Sequence, residues 1–519
     1  MRMSPLRGSK RVREFLARAC PNSIGGMRIA VLGAGVSGLV AAKVLRETGH
    51  EVVVIEKCDD VGGVWSASRR YPSVSTQDDR VTYSFSDTPM PRDYPEHPTG
   101  PLVQAYLERY AADHGLLPAL RLGTEVQSAE LVDGDTRWAV RLRDAAGESV
   151  ESFDYLVAAH GTYSTPHVPA WPGRPAFEGA GGVVVPPSSV GDGTVLDGRD
   201  VVILGWGKTA CDLASVAAGR ARSATLVARE LRWKYPKRMG GGLTYRHLLL
   251  TRLGEHAVAA PSRGLGGRVL AQLTRVPRKV AMLRLARAVD RQLGLGELGL
   301  LPRVTFPDSN SLVTEGFYEA VREGRLRVVR DAGVADLETV DGRPAVRLRD
   351  GEVLPADVLV PATGYEQDLD LFGPATRARL VEPGGELLLH RKVLPTTLPR
   401  LAFIGWSQSY RSPLTAEVQA FWLAGLLLGQ VDLPPVEEQR RTALTYRLTH
   451  AAAAAAGAPQ MPSGSFAELD VLLEDLGLPL PARTRRKQLL AALDPADYAY
   501  VLPAIVARAG VLRRESVPV

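Results

Sequence analysis

The stretch Met27–Cys58, MRIAVLGAGVSGLVAAKVLRETGHEVVVIEKC, limits the fold more than any other part of this chain. Arg28–Leu32 is a short apolar run of the kind that forms a buried parallel strand. Gly33-Ala34-Gly35-Val36-Ser37-Gly38 follows at once, then an Ala/Leu-rich helical stretch, then a β-branched run that ends in Glu56 and Lys57. That order is the dinucleotide-binding fingerprint, and each residue type has a physical task. Gly33 permits the tight turn from strand to helix. Gly35 lets the backbone approach a pyrophosphate, and Gly38 lets the helix pack closely. The helix N-terminus presents unsatisfied N–H groups and a partial positive charge to the phosphates. Glu56 lies 18 residues after Gly38, where a carboxylate accepts hydrogen bonds from a ribose diol and repels a 2′-phosphate. The expected ligand of this turn is therefore FAD or NAD and not NADP.

A second copy of the pattern turns one site into two. Asp200–Leu204 reads as a strand, and Gly205-Trp206-Gly207-Lys208-Thr209-Ala210 as a GxGxxA turn into a helix. The next strand, Ala224–Ala228, ends at Arg229, 19 residues after Ala210, with Arg232, Lys234, Lys237 and Arg238 close behind. A guanidinium in that place pairs with a 2′-phosphate where a carboxylate would repel it. The pair of motifs therefore assigns FAD to the first turn and NADPH to the second. Gly207-Lys208-Thr209 also resembles the end of a Walker A loop, but Val202 stands where that motif needs glycine.

The rest of the composition mostly excludes. The 519 residues are enough for two or three domains. Cys20, Cys58 and Cys211 form no CxxC pair, which argues against a disulfide framework or a thiol relay and fits a reducing, cytoplasmic setting. Of the net charge of +6, residues 1–26 hold +5, from six Lys and Arg against Glu14, leaving 6 − 5 = +1 for the remainder. A near-neutral body gives no case for nucleic acid, and the first 26 residues read as a disordered basic extension. No apolar run reaches the 18 or more residues of a membrane span.

Between the motifs, Gly62-Gly63-Val64-Trp65 suits a loop passing close over a flat ligand. Tyr71–Pro101 reads as a long irregular segment, which in a compact domain is usually functional. Leu102–Gly115 reads as helix and Arg121–Arg143 as antiparallel strands turning at Asp133-Gly134. Residues 165–198 read as an interdomain connection, and 240–300 as a basic helical insert. Val358–Pro361 ends a further buried strand before Ala362-Thr363-Gly364-Tyr365. Ala416–Gly429 is a helix carrying Gln419 and Trp422 back towards the first domain. The expected architecture is α/β: two Rossmann-like dinucleotide-binding domains, the NADPH domain inserted in the FAD domain, plus a helical insert and a C-terminal helical tail. The expected boundaries are 27–170 and 336–445 for the FAD domain, 171–335 for the NADPH domain, and 446–519 for a linker and helical extension.

Over roughly residues 27–445 these motifs resemble the flavin-containing monooxygenases. The matching pieces are GAGVSG (33–38), Glu56, GGVW (62–65), YSFSDTPMPRDYP (83–95), GWGKTACD (205–212), ATGY (362–365) and GWSQ (405–408). The resemblance implies an NADPH-consuming, FAD-dependent enzyme that places one oxygen atom of O2 on a small organic substrate through a C4a-hydroperoxyflavin, at an amine nitrogen or sulfur. It also places Lys57, Trp65, Thr76, Val126, Gly364 and Gln408 among the cofactor contacts. The family's active-site asparagine aligns with Gln77, which is expected to bond to the flavin–nicotinamide stack. Two departures stand out. The family's FxGxxxH element begins at Phe177-Glu178-Gly179 but has Val183 in place of histidine, and the ATG-like linker is Ala159-His160-Gly161. These departures keep two alternatives open, Baeyer–Villiger oxidation of a ketone and an NADPH oxidase or reductase that has lost oxygenation. A homodimer is compatible with the reading.

Overall fold

A computed structural model describes residues 26–238, 244–258, 264–306, 311–382, 387–406, 411–455 and 465–515. Its frame is two parallel sheets of five strands. The first runs, in spatial order, Leu401–Phe403, Tyr155–Ala158, Arg28–Leu32, Glu51–Ile55 and Leu120–Arg121. The second runs Arg327–Arg330, Ser223–Ala228, Asp200–Leu204, Val358–Pro361 and Val183–Val184. The central strands are apolar along their length because both faces of each sheet are covered. In each unit the central strand ends in the glycine turn, which leads into a crossover helix, Val36–Glu47 or Lys208–Arg220. The parallel registers place Leu32 beside Ile55 and Leu204 beside Val227. Each glycine turn thus lies next to the end of its neighbouring strand, at the switch point where α/β sheets bind ligands.

Strand pairing moves one expected boundary. Val358–Pro361 pairs with Val201–Leu204, and the antiparallel strands Val334–Val340, Arg343–Leu348 and Val353–Pro355 precede it. The second unit therefore continues to Pro361 rather than ending at 335, because its central strand needs a partner on its second side. Residues 165–198 are likewise not a bare connection. Helix Arg174–Gly179 packs on the antiparallel strands, and Val183–Val184 closes the sheet edge beside Val358 and Leu359. The actual crossings are short, and they pair with each other: Thr165–Pro166 runs antiparallel to Tyr365–Glu366.

The C-terminal helices are part of the first core and not an appended tail. Helix Ser412–Leu427 is buried from Pro413 to Leu426 on all sides, as a helix that is apolar all round must be. One side meets helix Val36–Glu47, and others meet helices Phe466–Asp475 and Val501–Glu515. Leu469, Leu473, Val501 and Ile505 join the same cluster as Val40 and Val44. Arg252, from the insert, reaches the same helices, with Asp470 at 2.6 Å and the Phe466 ring at 4.7 Å. Residues 1–25 and, within the expected 446–519 linker and extension, residues 456–464 lie outside the described residues, as do parts of the 240–300 insert. Among the described residues no helix is long and apolar enough to cross a membrane.

Within this core, Glu417 is fully buried and accepts hydrogen bonds from the Ser86 N–H and Oγ, both at 2.9 Å. Burial, and after it the Asp87 carboxylate, push the Glu417 carboxyl up to about 8, against the pull of the Ser86 donors. The folded state therefore keeps a proton that the unfolded chain gives up at lower pH. The stabilisation is complete below the unfolded carboxylate value and is lost as pH rises through about 8. Glu417→Gln cannot ionise, so its melting temperature is expected to fall several degrees less than that of the wild type between pH 5 and pH 9. Parallel melting curves across that range would show that Glu417 does not carry the loss.

A cleft between two glycine turns

Both turns open onto one cleft of about 1300 Å³. The first turn is built by contacts that exclude side chains. A Cβ on Gly38 would lie 1.8 Å from the Gly33 carbonyl oxygen, and Gly33 itself has φ of +103°. Gly38 thus serves the turn even more directly than the strand. Gly35 and Gly63 also meet backbone to backbone, since a Cβ on Gly63 would lie 3.1 Å from the Gly35 Cα. The GGVW segment is held there by a hydrogen bond from the Gly62 N–H to the Ala34 carbonyl at 3.0 Å.

Glu56 is 7% exposed, and its two oxygens accept the Ala34 N–H at 2.8 Å and the Cys58 N–H at 2.9 Å. A carboxylate oxygen has a second lone pair, so Glu56 can still accept from a diol while being fixed in place. Ala34 is buried, with its N–H committed to Glu56, so it positions that carboxylate instead of offering a phosphate donor. The indole of Trp65 donates to the Tyr83 hydroxyl at 2.9 Å, which sets its plane at the cleft wall.

The second turn repeats the geometry with different charge. Gly205 has φ of +124°, and a Cβ there would meet the Ala362 carbonyl at 2.4 Å, whereas nothing lies within 4 Å of one on Gly207. Lys208 is paired with Asp212, which also accepts from the Thr314 hydroxyl at 2.6 Å and the Tyr71 hydroxyl at 3.0 Å. Lys234 lies beneath the turn, donating to the Trp206 carbonyl at 2.5 Å and the Ser311 Oγ at 2.9 Å, and burial lowers its pKa. Arg229 and Arg232 line the cleft beyond, Arg232 with Glu230 at 3.1 Å.

The cleft brings together Gly33, Gly35, Val36, Ser37, Glu56, Lys57, Gly63, Val64, Trp65, Gln77 and Val126 from the first unit. From the second turn and the linkers it adds Gly205, Gly207, Lys208, Thr209, Arg229, Arg232 and Gly364. Gly38 and Ala210 stand behind their turns. Thr76 is also absent from the cleft: it is buried, bonds to the Asp78 carbonyl at 2.7 Å and faces a separate small cavity. Gln408 lies outside the described residues. Gln77 places its amide at the junction of the units, its Oε1 accepting the Leu312 N–H at 3.0 Å. Among the described residues no cluster of His, Cys, Asp and Glu is arranged to hold a metal ion.

Two residues of the cleft, His160 and Arg349, have roles there that the sequence reading did not assign. His160 stacks edge-on to Trp406 with ring centroids 5.0 Å apart and bonds through Nε2 to the Asp368 carbonyl at 3.0 Å. That carbonyl requires an Nε2–H, and burial lowers the pKa of the ring, so it is a neutral imidazole tying one linker to the other. Arg349 enters from a hairpin turn. The FSDTPMP phrase, by contrast, never reaches the cleft. The Phe85 N–H donates to the Tyr106 hydroxyl, Lys43 pairs with Asp87, and Ser86 is held by Glu417, so the phrase anchors the loop that presents Gln77.

Two dinucleotide turns of opposite charge on one cleft define a protein that brings two nucleotide cofactors face to face. The chain belongs to the flavin-binding monooxygenase-like family, whose model matches residues 26–447; it is an oxidoreductase. It is 28% identical to a probable flavin-containing monooxygenase 1 of Arabidopsis thaliana, over 79% of this chain and 84% of that one. Among solved structures it resembles ε-caprolactone-bound cyclohexanone monooxygenase, with a TM-score of 0.68 and 20% identity over 88% of this chain and 99% of that one. It also resembles an S-allyl-L-cysteine S-oxygenase of Allium sativum, with a TM-score of 0.58 and 18% identity over 94% and 99%. At these identities the structural likeness shows the fold.

The third glycine of the first turn and the second glycine of the second make opposite predictions for replacement by alanine. Gly38→Ala drives a methyl into the Gly33 carbonyl and is expected to lower the melting temperature sharply and to lose flavin on purification. Gly207→Ala meets open space, so its melting temperature should stay within a few degrees while its affinity for NADP⁺ falls about tenfold or more. Equal thermal effects at the two positions would refute the contrast.

Proposed function

We propose that this protein is an FAD-dependent, NADPH-consuming monooxygenase that transfers one oxygen atom from O2 to an amine nitrogen or a sulfur of a small organic substrate. The observation that supports it most is the division of charge along the single cleft, with Glu56 fixed by two backbone N–H groups at one strand end and Arg229 at the other. A carboxylate receives an unphosphorylated ribose and a guanidinium receives a phosphorylated one. The residues present fit both groups: Gly35 and Gly207 bring backbone without a side chain to the cleft, and each turn opens a helix of at least twelve residues.

Bound flavin would supply both the hydride acceptor and the oxygen-activating centre. The chain's own residues hold and orient. Val36 and Ser37 begin the helix that would face a pyrophosphate at the first turn, and Lys208 and Thr209 the one that would face it at the second. Gln77 offers its amide at the meeting of the two units, with its carbonyl already pinned by Leu312. Trp65 and Tyr83 wall off one side, and the paired linkers fix the spacing of the two turns.

A second reading, an NADPH oxidase, is favoured by Val183. It stands where the family carries histidine and is committed to a sheet edge beside Val358. Incubating the FAD-loaded protein with NADPH, O2 and, in turn, a tertiary amine, a thioether and a ketone separates the possibilities. N-oxide or sulfoxide formed in step with NADPH consumption supports the proposal. Ester formed from the ketone would replace it with Baeyer–Villiger oxidation, and hydrogen peroxide as the sole oxygen product would favour the oxidase. In the same assay Gln77→Ala, which releases the Leu312 N–H and the amide together, is expected to lower product per NADPH about tenfold. Gln77→Asn should recover part of that loss.

A further inference from the structure

Arg349 lies in the turn joining strands Arg343–Leu348 and Val353–Pro355, far along the chain from the second glycine turn. Its N–H donates to the Gly333 carbonyl at 2.9 Å, which seats the turn against the loop after Arg327–Arg330. A Cβ on Gly333 would stand 3.6 Å from the Arg349 Nε and 3.8 Å from the Arg229 Cγ. Two arginine side chains therefore converge over one glycine, and both line the cleft.

Their charges are not balanced by acids. Among the described residues neither Arg229 nor Arg349 has a carboxylate within ion-pair distance, although Arg347 is matched by Glu338 at 2.8 Å and Arg327 by Glu352 at 2.5 Å. Nearby acids are already engaged: Glu230 pairs with Arg232 at 3.1 Å, Asp331 with Arg330 at 3.1 Å and Arg303 at 3.2 Å, and Asp350, next to Arg349, accepts the Glu352 N–H at 3.1 Å. Bringing two like charges together costs free energy that a dianion between them would return. A guanidinium offers a planar fork of donors, so two forks facing one phosphate provide charge-assisted, bidentate contacts from both sides.

We propose that Arg349 is a specificity-determining residue that closes, opposite Arg229, a two-arginine clamp on the 2′-phosphate of the reductant. The inference rests on the reading of the second turn as the NADPH site and adds to it a partner that arrives on a separate hairpin. Both arms start from anchored backbone: Arg229 follows Ser223–Ala228, which is paired on both sides, and the Arg349 N–H bonds to the Gly333 carbonyl.

The test uses the full-length, FAD-loaded protein and two small probes, 2′,5′-ADP and 5′-AMP, with binding measured by calorimetry so that no turnover is needed. The wild type is expected to bind 2′,5′-ADP more tightly. Arg349→Gln should weaken 2′,5′-ADP about 10- to 100-fold, the usual consequence of losing charged hydrogen bonds, and change 5′-AMP less than about threefold. Arg349→Lys should keep part of the preference, and higher salt should shrink it. An equal loss for both probes would reduce Arg349 to a structural role of the hairpin and overturn the proposal. If Arg229→Gln abolishes the preference while Arg349→Gln leaves it intact, the clamp is wrong and the NADPH reading survives. A wild type that binds both probes equally would overturn both together.

Discussion

The Gly33 carbonyl occupies the space a side chain on residue 38 would need, and the rest of the first unit is arranged around that contact. It lets helix Val36–Glu47 start hard against the strand end, so the helix axis points into the cleft. It leaves the Ala34 N–H facing Glu56, which fixes the carboxylate before any ligand arrives. The same closeness brings Gly63 against Gly35, so a loop more than twenty residues further on becomes part of the wall. Two backbones in contact can be placed more accurately than two long side chains, because there is no rotamer freedom to lose.

The second unit repeats the turn but not the chemistry, and the linkers decide how the two face one another. Thr165–Pro166 and Tyr365–Glu366 pair across the junction, and His160 bonds to the Asp368 carbonyl. Further contacts cross from the long loop of the first unit. Tyr71 donates to Asp212 and Gln77 accepts from Leu312. These contacts are short and polar, and they sit at the cleft mouth, where a change in spacing would be felt by both ligands.

Buried ionisable groups, Glu417 in its protonated form among them, lock several loops. Glu417 under Ser86 and Lys43 with Asp87 hold the FSDTPMP segment, and Arg252 with Asp470 ties the insert to the C-terminal helices. Such pairs cost desolvation and are lost expensively once formed, so they specify one arrangement of an otherwise irregular chain. A long loop without a sheet to pair with has its backbone satisfied in this way. The FSDTPMP phrase, one of the pieces that carry the family resemblance, is thus a scaffold for the site and not part of its lining.

What could be read from the sequence alone was local. The glycine turns, Glu56 and Arg229 were legible because strand rise and helix pitch set the spacing, Glu56 standing 23 residues after Gly33 and Arg229 24 after Gly205. The paired sheets and their shared cleft followed from having two such units. What lay far apart in sequence was not legible. Val358–Pro361 has the same apolar pattern whichever sheet it joins, and only the open side of Asp200–Leu204 assigned it. The helices after residue 465 read as a tail because their partner, helix Ser412–Leu427, is apolar all round and does not show which faces need cover. Arg349 has no motif, since its place over Gly333 depends on how a hairpin folds back. Periodicity and spacing determine which ligands each turn can take; only packing between distant segments decides which charges meet across the cleft.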